Sequence, residues 1–268
     1  MARSEESITL SVVLPAYNEQ DRLLPYLTSI TRYLSQRGDP YEIVVVDDGS
    51  RDETAQRVTR FASDAPTVRL IRLPANRGKG AAVRAGMLAA RGTLRLMADA
   101  DGATPIQELE RLDHALAEGA DLAIGSRFLG SRDRRYRVQA RWHRTVLGNL
   151  FNHVAQHLGL NGITDTQCGF KLFRKRVAED LCSVARIDGY GLDLELLYVA
   201  RRRGYRIAEV AINWTDQPGS KVRVFRDGIR MFRELLAVHR HNARGFYRRR
   251  ESADVLHELR QTAESHTC

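Results

Sequence analysis

Leu94-Arg-Leu-Met-Ala-Asp99-Ala-Asp101-Gly-Ala-Thr104 is the stretch from which the fold can be read. Its first five residues are mostly apolar and of the length of a buried strand. The run ends in two carboxylates, Asp99 and Asp101, spaced so that both can reach one ion from a turning backbone. Thr104, Pro105 and Gln107 then predict a helix start: Thr104 as N-cap, Pro105 at the first helical position, Gln107 closing a capping box. Carboxylates on the loop leaving a strand stand where open α/β sheets bind ligands. Two hard oxygen donors there suit Mg2+ or Mn2+, and such an ion suits a diphosphate. Alone the pattern is weak, because with 18 Asp in 268 residues about one Asp-x-Asp is expected by chance. Two solvated turn aspartates are the plainer reading unless the flanking sequence supports more.

On the N-terminal side it does. Ile8 to Leu14 predicts a strand ending at Pro15-Ala-Tyr-Asn-Glu19, and a helix follows with Leu23, Leu27, Ile30 and Leu34 on one face. Tyr41 to Val46 is a continuous apolar run, the mark of a strand covered on both faces. It ends at Asp47-Asp48-Gly49-Ser50, where Ser50 and Glu53 predict a second capping box. Val68 to Leu73 is a third strand, and Ala81 to Ala90 a helix begun through Gly78-Lys79-Gly80. That turn is no phosphate loop: it has no glycine five residues upstream and no Ser or Thr after Lys79. Its expected role is a tight turn bringing the helix close to the sheet. A strand from Asp121 to Gly125 completes the half. Strands alternating with helices of this length imply a Rossmann-like α/β fold, a mostly parallel sheet flanked by helices.

After Gly125 the rhythm changes. Residues 131–144 are dense in arginine, with few apolar positions, and predict an exposed loop running into a helix around 141–158. Asp165 to Phe173 and Ile207 to Trp214 read as strands flanking a helix from Asp193 to Arg203. Phe225, Ile229, Phe232 and Leu236 define an amphipathic helix beside Arg226, Arg230 and Arg233. Its apolar face could lie on a membrane or pack on the domain. The expected organisation is an α/β domain over 8–222, a basic amphipathic extension over 223–250 and a polar tail over 251–268.

Charge is uneven. Residues 201–250 carry a net of +10, against +9 for the whole chain, so the basic character belongs to one segment. Of the 42 basic residues 38 are arginine, a bias that composition alone can produce, so position must carry the argument. Cys168, Cys182 and Cys268 form neither a metal spacing nor an even disulfide framework, which favours a reducing compartment. No stretch reaches the 18 or so apolar residues of a membrane span. The expectation is a cytoplasmic protein with peripheral membrane contact. A pI near 9.8 invites a nucleic-acid-binding reading. No recognisable motif supports it, and an aromatic content of 7% offers few stacking platforms.

Taken together, Val12-Val-Leu-Pro-Ala-Tyr-Asn-Glu19, Val44-Val-Val-Asp-Asp-Gly-Ser50, Asn76-Arg-Gly-Lys-Gly80 and Asp99-Ala-Asp101 resemble glycosyltransferase family 2, with its GT-A fold. Gly125-Ser-Arg-Phe128, Asp165-Thr-Gln-Cys-Gly-Phe-Lys171, Leu192-Asp-Leu-Glu-Leu-Leu-Tyr198 and Asn213-Trp-Thr…Gly219-Ser-Lys221 narrow it to the dolichyl-phosphate β-glucosyltransferase branch. The resemblance covers about residues 8–240. It implies that Pro15, Tyr17, Glu19 and Asp47 or Asp48 hold the uridine of UDP-glucose, with Lys79 also on the nucleotide sugar. Asp99 and Asp101 would bind the metal on the diphosphate. Arg127, one of Arg141 and Arg144, and the pair Ser220 and Lys221 would hold phosphate groups. Related mannosyltransferases add a Gln ligand two residues past the second aspartate; here Ala103 stands there.

Displacing UDP from a hexose requires the leaving diphosphate to be neutralised, which is electrostatic work. A lipid phosphate acceptor, being ionised at pH 7, needs cationic clamps such as Arg127 rather than a base. A hydroxyl acceptor would need a carboxylate base, and Asp193 stands where many family members place one. The two expected readings are an inverting, metal-dependent transfer to a polyprenyl phosphate at an anionic membrane surface, and a soluble enzyme using Asp193 as base. For Asp193 a plain role at a helix N-terminus, favoured by the dipole, stays open.

Overall fold

A computed structural model describes residues 7–139, 156–218 and 224–248. The strand β1 (Leu10–Ala16) leads to helix α1 (Leu23–Arg37), then β2 (Tyr41–Asp47), α2 (Thr54–Asp64), β3 (Val68–Arg72) and α3 (Lys79–Ala89). The strand of the opening stretch is β4 (Leu94–Ala98), followed by a 3-10 turn (Ile106–Glu108), α4 (Leu109–Ala117), β5 (Leu122–Ser126), α5 (Arg127–Arg132) and β6 (Val138–Gln139). After a π-helical turn (Gln156–Leu160) come β7 (Phe170–Arg174), α6 (Lys175–Val184), α7 (Leu192–Arg202), β8 (Ile207–Ala211), β9 (Trp214–Thr215) and α8 (Val224–Ala243).

Seven strands form one sheet in the order β3-β2-β1-β4-β7-β5-β8, and β6 pairs with β9 separately. All neighbours in the large sheet are parallel except β7, which runs antiparallel to both β4 and β5. The continuous apolar runs are buried on two faces, as their composition requires. Val12, Leu14, Ile43 and Val45 point into a core with α1 and α4, while Val13, Val44 and Val46 point into another with α3, α6 and α7. Gly86 makes the second contact possible, since a Cβ there would meet the side chains of Val13 and Val46.

Several local expectations are corrected. Neither capping box forms: Pro105 precedes a 3-10 turn with no side-chain cap, and α2 begins after Glu53 with none. The polar groups have other work. Ser50 Oγ accepts from Asn18 N at 2.8 Å, and Asp52 Oδ1 accepts from Thr54 N at 3.0 Å. Ser131 and Arg132, expected in the exposed loop, close the short helix α5 instead. The expected helix over 141–158 lies, but for its last residues, outside the described chain, as does the tail over 251–268.

At the edge of the sheet opposite the strand ends that carry aspartates, one carboxylate ties four segments. Glu42, 2% exposed, accepts from Ser11 Oγ (2.7 Å), Arg91 N (2.6 Å) and Arg69 Nε (2.9 Å). Burial pushes its pKa up, but these hydrogen bonds and the Arg69 charge outweigh burial and hold it below the usual carboxylate range. A depressed folded-state pKa stabilises the fold above the unfolded value, about 4.3 for Glu. That stabilisation is lost as pH falls through the folded value. Glu42→Gln is therefore expected to cost about 1–3 kcal/mol at pH 7. The gap to the wild type should close as the pH is lowered below about 4. Urea denaturation of both proteins across that range checks this, and a gap independent of pH would contradict it.

Candidate active site

The loops leaving β1, β2, β4 and β5 open at one edge of the sheet, and the loop preceding β7 opens there too because β7 runs the other way. The strand ends thus gather Pro15, Tyr17 and Glu19, Asp47 and Asp48, Asp99 and Asp101, and Arg127, the location in which open α/β sheets bind ligands.

Asp99 is the meeting point. Lys79 Nζ lies 2.7 Å from its Oδ1 and 3.6 Å from Asp193 Oδ2. Burial works against the Lys79 charge, but Asp99 and Asp193 more than offset it, so its pKa is raised. A Cβ on Gly169 would overlap the Asp99 carboxylate where it lies, so the loop before β7 passes close beside it. Asp101 Oδ1 accepts from Ala103 N at 3.1 Å, and its Oδ2 lies 3.8 Å from Arg22 Nη1. Burial first, and the Asp99 charge second, push the Asp101 pKa up. The two carboxylates stand together in a partly buried turn, each with a cation on one side, Lys79 for Asp99 and Arg22 for Asp101. Their hard oxygens fit Mg2+ or Mn2+. Among the described residues no third His, Cys, Asp or Glu joins them, so the remaining donors would be diphosphate and water oxygens.

Asp193 sits in the first turn of α7, 3% exposed. Lys171, fully buried on β7, donates to Asp193 Oδ1 and to the carbonyls of Cys168 (2.5 Å) and Thr166 (3.4 Å). One carboxylate is thus faced by two ammonium groups. Arg127 is fixed in a comparable way. Its Nε and Nη2 donate to the two oxygens of Asp165 at 2.8 Å each, and its backbone N–H donates to Oδ2 at 2.9 Å. Its guanidinium also lies 5.4 Å from the Trp214 ring centre. Burial opposes the Asp165 charge, yet Arg127 outweighs it and holds the carboxyl below its usual range.

The nucleotide-side residues are more committed to the chain than their spacing suggested. Asp48 accepts from Arg77 N and Gly78 N at 2.8 Å each, so it shapes the turn that begins α3. Asp47 is wholly buried; Oδ1 accepts from Ser50 N at 3.0 Å, while Oδ2 has no hydrogen-bond donor, with Arg72 Nε 3.5 Å away. Glu19 pairs with Arg22, which bridges it toward Asp101. Pro15 is the last residue but one of β1, and Tyr17 is half-buried on the loop beyond. Arg141, Arg144, Ser220 and Lys221 lie outside the described residues.

The Gly78-Lys79-Gly80 turn is corrected in its purpose. A Cβ on Gly80 would clash with the backbone of Ile187, Asp188 and Gly189, so the glycines make room for that loop; Gly86 is what admits the sheet. Lys171, Asp165, Gly169 and Arg22 were not singled out from sequence as site residues. The signal for Lys171 was there, a lysine inside an otherwise apolar run, Phe170 to Phe173.

The family described as Glycosyl transferase family 2 matches residues 11–182. A dolichyl-phosphate beta-glucosyltransferase of Dictyostelium discoideum is 39% identical over 87% of this chain and 74% of its own length. The Homo sapiens enzyme of the same name is 38% identical over 89% and 77%. Glucosyl-3-phosphoglycerate synthase from Mycobacterium tuberculosis, in complex with Mn2+, uridine-diphosphate and phosphoglyceric acid, superposes with a TM-score of 0.67 at 23% identity, over 91% of this chain and 80% of that one. That likeness shows the GT-A fold. The chain belongs to glycosyl transferase family 2 and is a glycosyltransferase.

Proposed function

We propose that the chain transfers glucose, with inversion, from UDP-glucose to a dolichyl-type polyprenyl phosphate at the cytoplasmic membrane face, with Mg2+ or Mn2+. What carries the choice of acceptor is the setting of Asp193. Its two oxygens face Lys171 and Lys79 in a buried site, so it has no open face with which to take a proton from a hydroxyl. A phosphate monoester needs no such base. The relatives named above, dolichyl-phosphate beta-glucosyltransferases, support the same acceptor and sugar.

Asp99 and Asp101 hold the divalent ion, which supplies the positive charge that a departing diphosphate requires. Lys79, kept charged beside Asp99, adds a fixed cation at the same place. Pro15, Tyr17 and Glu19, with the loop shaped by Asp47 and Asp48, hold the uridine. Arg127, oriented by Asp165, receives the acceptor phosphate, with Arg141 or Arg144 and the Ser220–Lys221 pair completing the clamp. A phosphate oxygen of the acceptor then attacks the anomeric carbon. The bond from that carbon to the diphosphate oxygen breaks with its electron pair, UDP leaves, and no proton moves.

The membrane reading rests on α8. The helix is not long and apolar enough to cross a membrane. Leu235 and Val238 are buried, whereas Phe232 and Leu236 are 46% and 43% exposed beside exposed Arg233 and Arg240. The part of the expected apolar face that is described therefore points outward. Apolar side chains flanked by arginine suit an anionic lipid surface.

Kinetic, metal-binding and vesicle measurements test the reading. An acceptor panel with UDP-glucose should give product with polyprenyl phosphate and none with the free polyprenol or soluble sugars. The kcat/KM should rise with pH through about 6, following the second ionisation of the phosphate. Asp193→Asn should keep that profile even where the loss of the partner shared by Lys79 and Lys171 costs rate, whereas a base mechanism predicts loss of the profile itself. Asp101→Asn should lower turnover on the order of 10²-fold and weaken Mn2+ binding seen by water proton relaxation; unchanged Mn2+ binding would sink the metal assignment. The protein should sediment with anionic vesicles, less so as salt rises. Phe232→Ser with Leu236→Ser should reduce partitioning about tenfold or more. Equal binding to neutral vesicles would count against the surface.

A further inference from the structure

The loop 186–191 joins α6 to α7 and is gripped from several sides. Gly80 N (2.8 Å) and Ala81 N (3.3 Å) both donate to Asp188 O, so this loop caps the start of α3, where Lys79 is the first residue. Arg84 on α3 binds Ile187 O at 2.6 Å and the Asp188 carboxylate. Glu195 on α7, wholly buried, accepts from Arg186 N and Ile187 N at 2.9 and 2.8 Å. At its far end the loop becomes the first turn of α7, which carries Asp193. One loop therefore sets two helix starts whose side chains, Lys79 and Asp193, lie 3.6 Å apart beside Asp99.

The C-terminal segment holds this loop from outside. Glu234 on α8 accepts from Gly191 N at 2.8 Å and is itself held by Arg230 Nε at 2.9 Å. Gly191 is the N-cap residue of α7 and has no capping side chain of its own. Its orphan amide is satisfied by a carboxylate delivered from 43 residues along the chain. The fit is close: a Cβ on Gly189 would overlap the Glu234 carboxylate, and one on Gly191 would lie 2.8 Å from Glu234 Cβ. Tyr247 adds a second tie, donating to Glu195 Oε1 at 2.5 Å.

We propose that Glu234 is a positioning residue for the donor site: by capping α7 from α8 it fixes loop 186–191, and through it the placement of Lys79 and Asp193 around Asp99. The inference rests on the reading of these residues as the donor-diphosphate end. No substrate atom need touch Glu234, which acts through two helix starts.

The test uses the full chain with Glu234→Ala and Glu234→Gln, the latter keeping an acceptor oxygen for Gly191 N–H. Hydrogen exchange followed by mass spectrometry should show Glu234→Ala exchanging at least tenfold faster in peptides covering both 186–196 and 79–84. Glu234→Gln should return most of the protection. Calorimetry with UDP and Mn2+ should show affinity weakened by about tenfold in the alanine variant and recovered in the glutamine one, as for loss of a charged hydrogen bond. Acceleration confined to 186–196, with 79–84 and UDP affinity unchanged, overturns the proposal, as does equal impairment of both variants. A wild type that fails to bind UDP sinks the donor reading instead, while the exchange result still decides the coupling. Should Glu234→Ala fail to fold, Glu234→Asp, which withdraws the carboxylate by one methylene, is read in the same way.

Discussion

One buried carboxylate, Asp193, between the buried ammonium group of Lys171 and the part-buried one of Lys79 is the constraint on which this end of the sheet depends. Each ion loses several kcal/mol of hydration on burial, and only correct placement of the partners offsets the loss. The three charges come from α7, α3 and β7, so these elements cannot shift independently. Asp99 enters the same balance through Lys79, which ties it to β4 as well. An arrangement this demanding gives little to a fold that only needs stability. On the reading proposed above, it gives a great deal to a site that must present fixed charge to a leaving group.

The antiparallel strand makes the arrangement possible. A sheet wound only in parallel would send outgoing loops from every strand to this edge. With β7 reversed, an incoming loop arrives between two outgoing ones, and it carries Asp165 to Arg127 and Gly169 to Asp99. Lys171, one residue into the strand, then lies directly below that loop, where two of its carbonyls reach the ammonium group.

Much of this was legible in the chain. The apolar runs of β1, β2 and β4 declared themselves because a strand buried on both faces has no polar alternation to hide it. The two aspartates after β4 were legible for the same reason, since they end such a run. What sequence could not deliver were contacts between distant segments. Ser50 and Glu53 had the spacing of a capping box, but Asn18 on another loop offered Ser50 a better partner. Gly78 and Gly80 signalled close approach without saying to what. In α8 Phe232 and Leu236 fit the helical period, and so do Leu235 and Val238; periodicity alone left open which set is buried, and the fold buries Leu235 and Val238. Glu234 carried no signal, as a carboxylate four residues from an arginine reads as an ordinary surface pair.

Lys171 also bears on composition. An ammonium has three protons, and this one has three acceptors: one carboxylate oxygen and two carbonyls. A guanidinium, planar and with five N–H groups, would leave donors stranded in the same space. The chain uses arginine for 38 of its 42 basic residues, and two of the four lysines it retains face Asp193. Where a protein's vocabulary is this skewed, the rarer of two interchangeable words is the informative one, marking positions at which stereochemistry overrules habit.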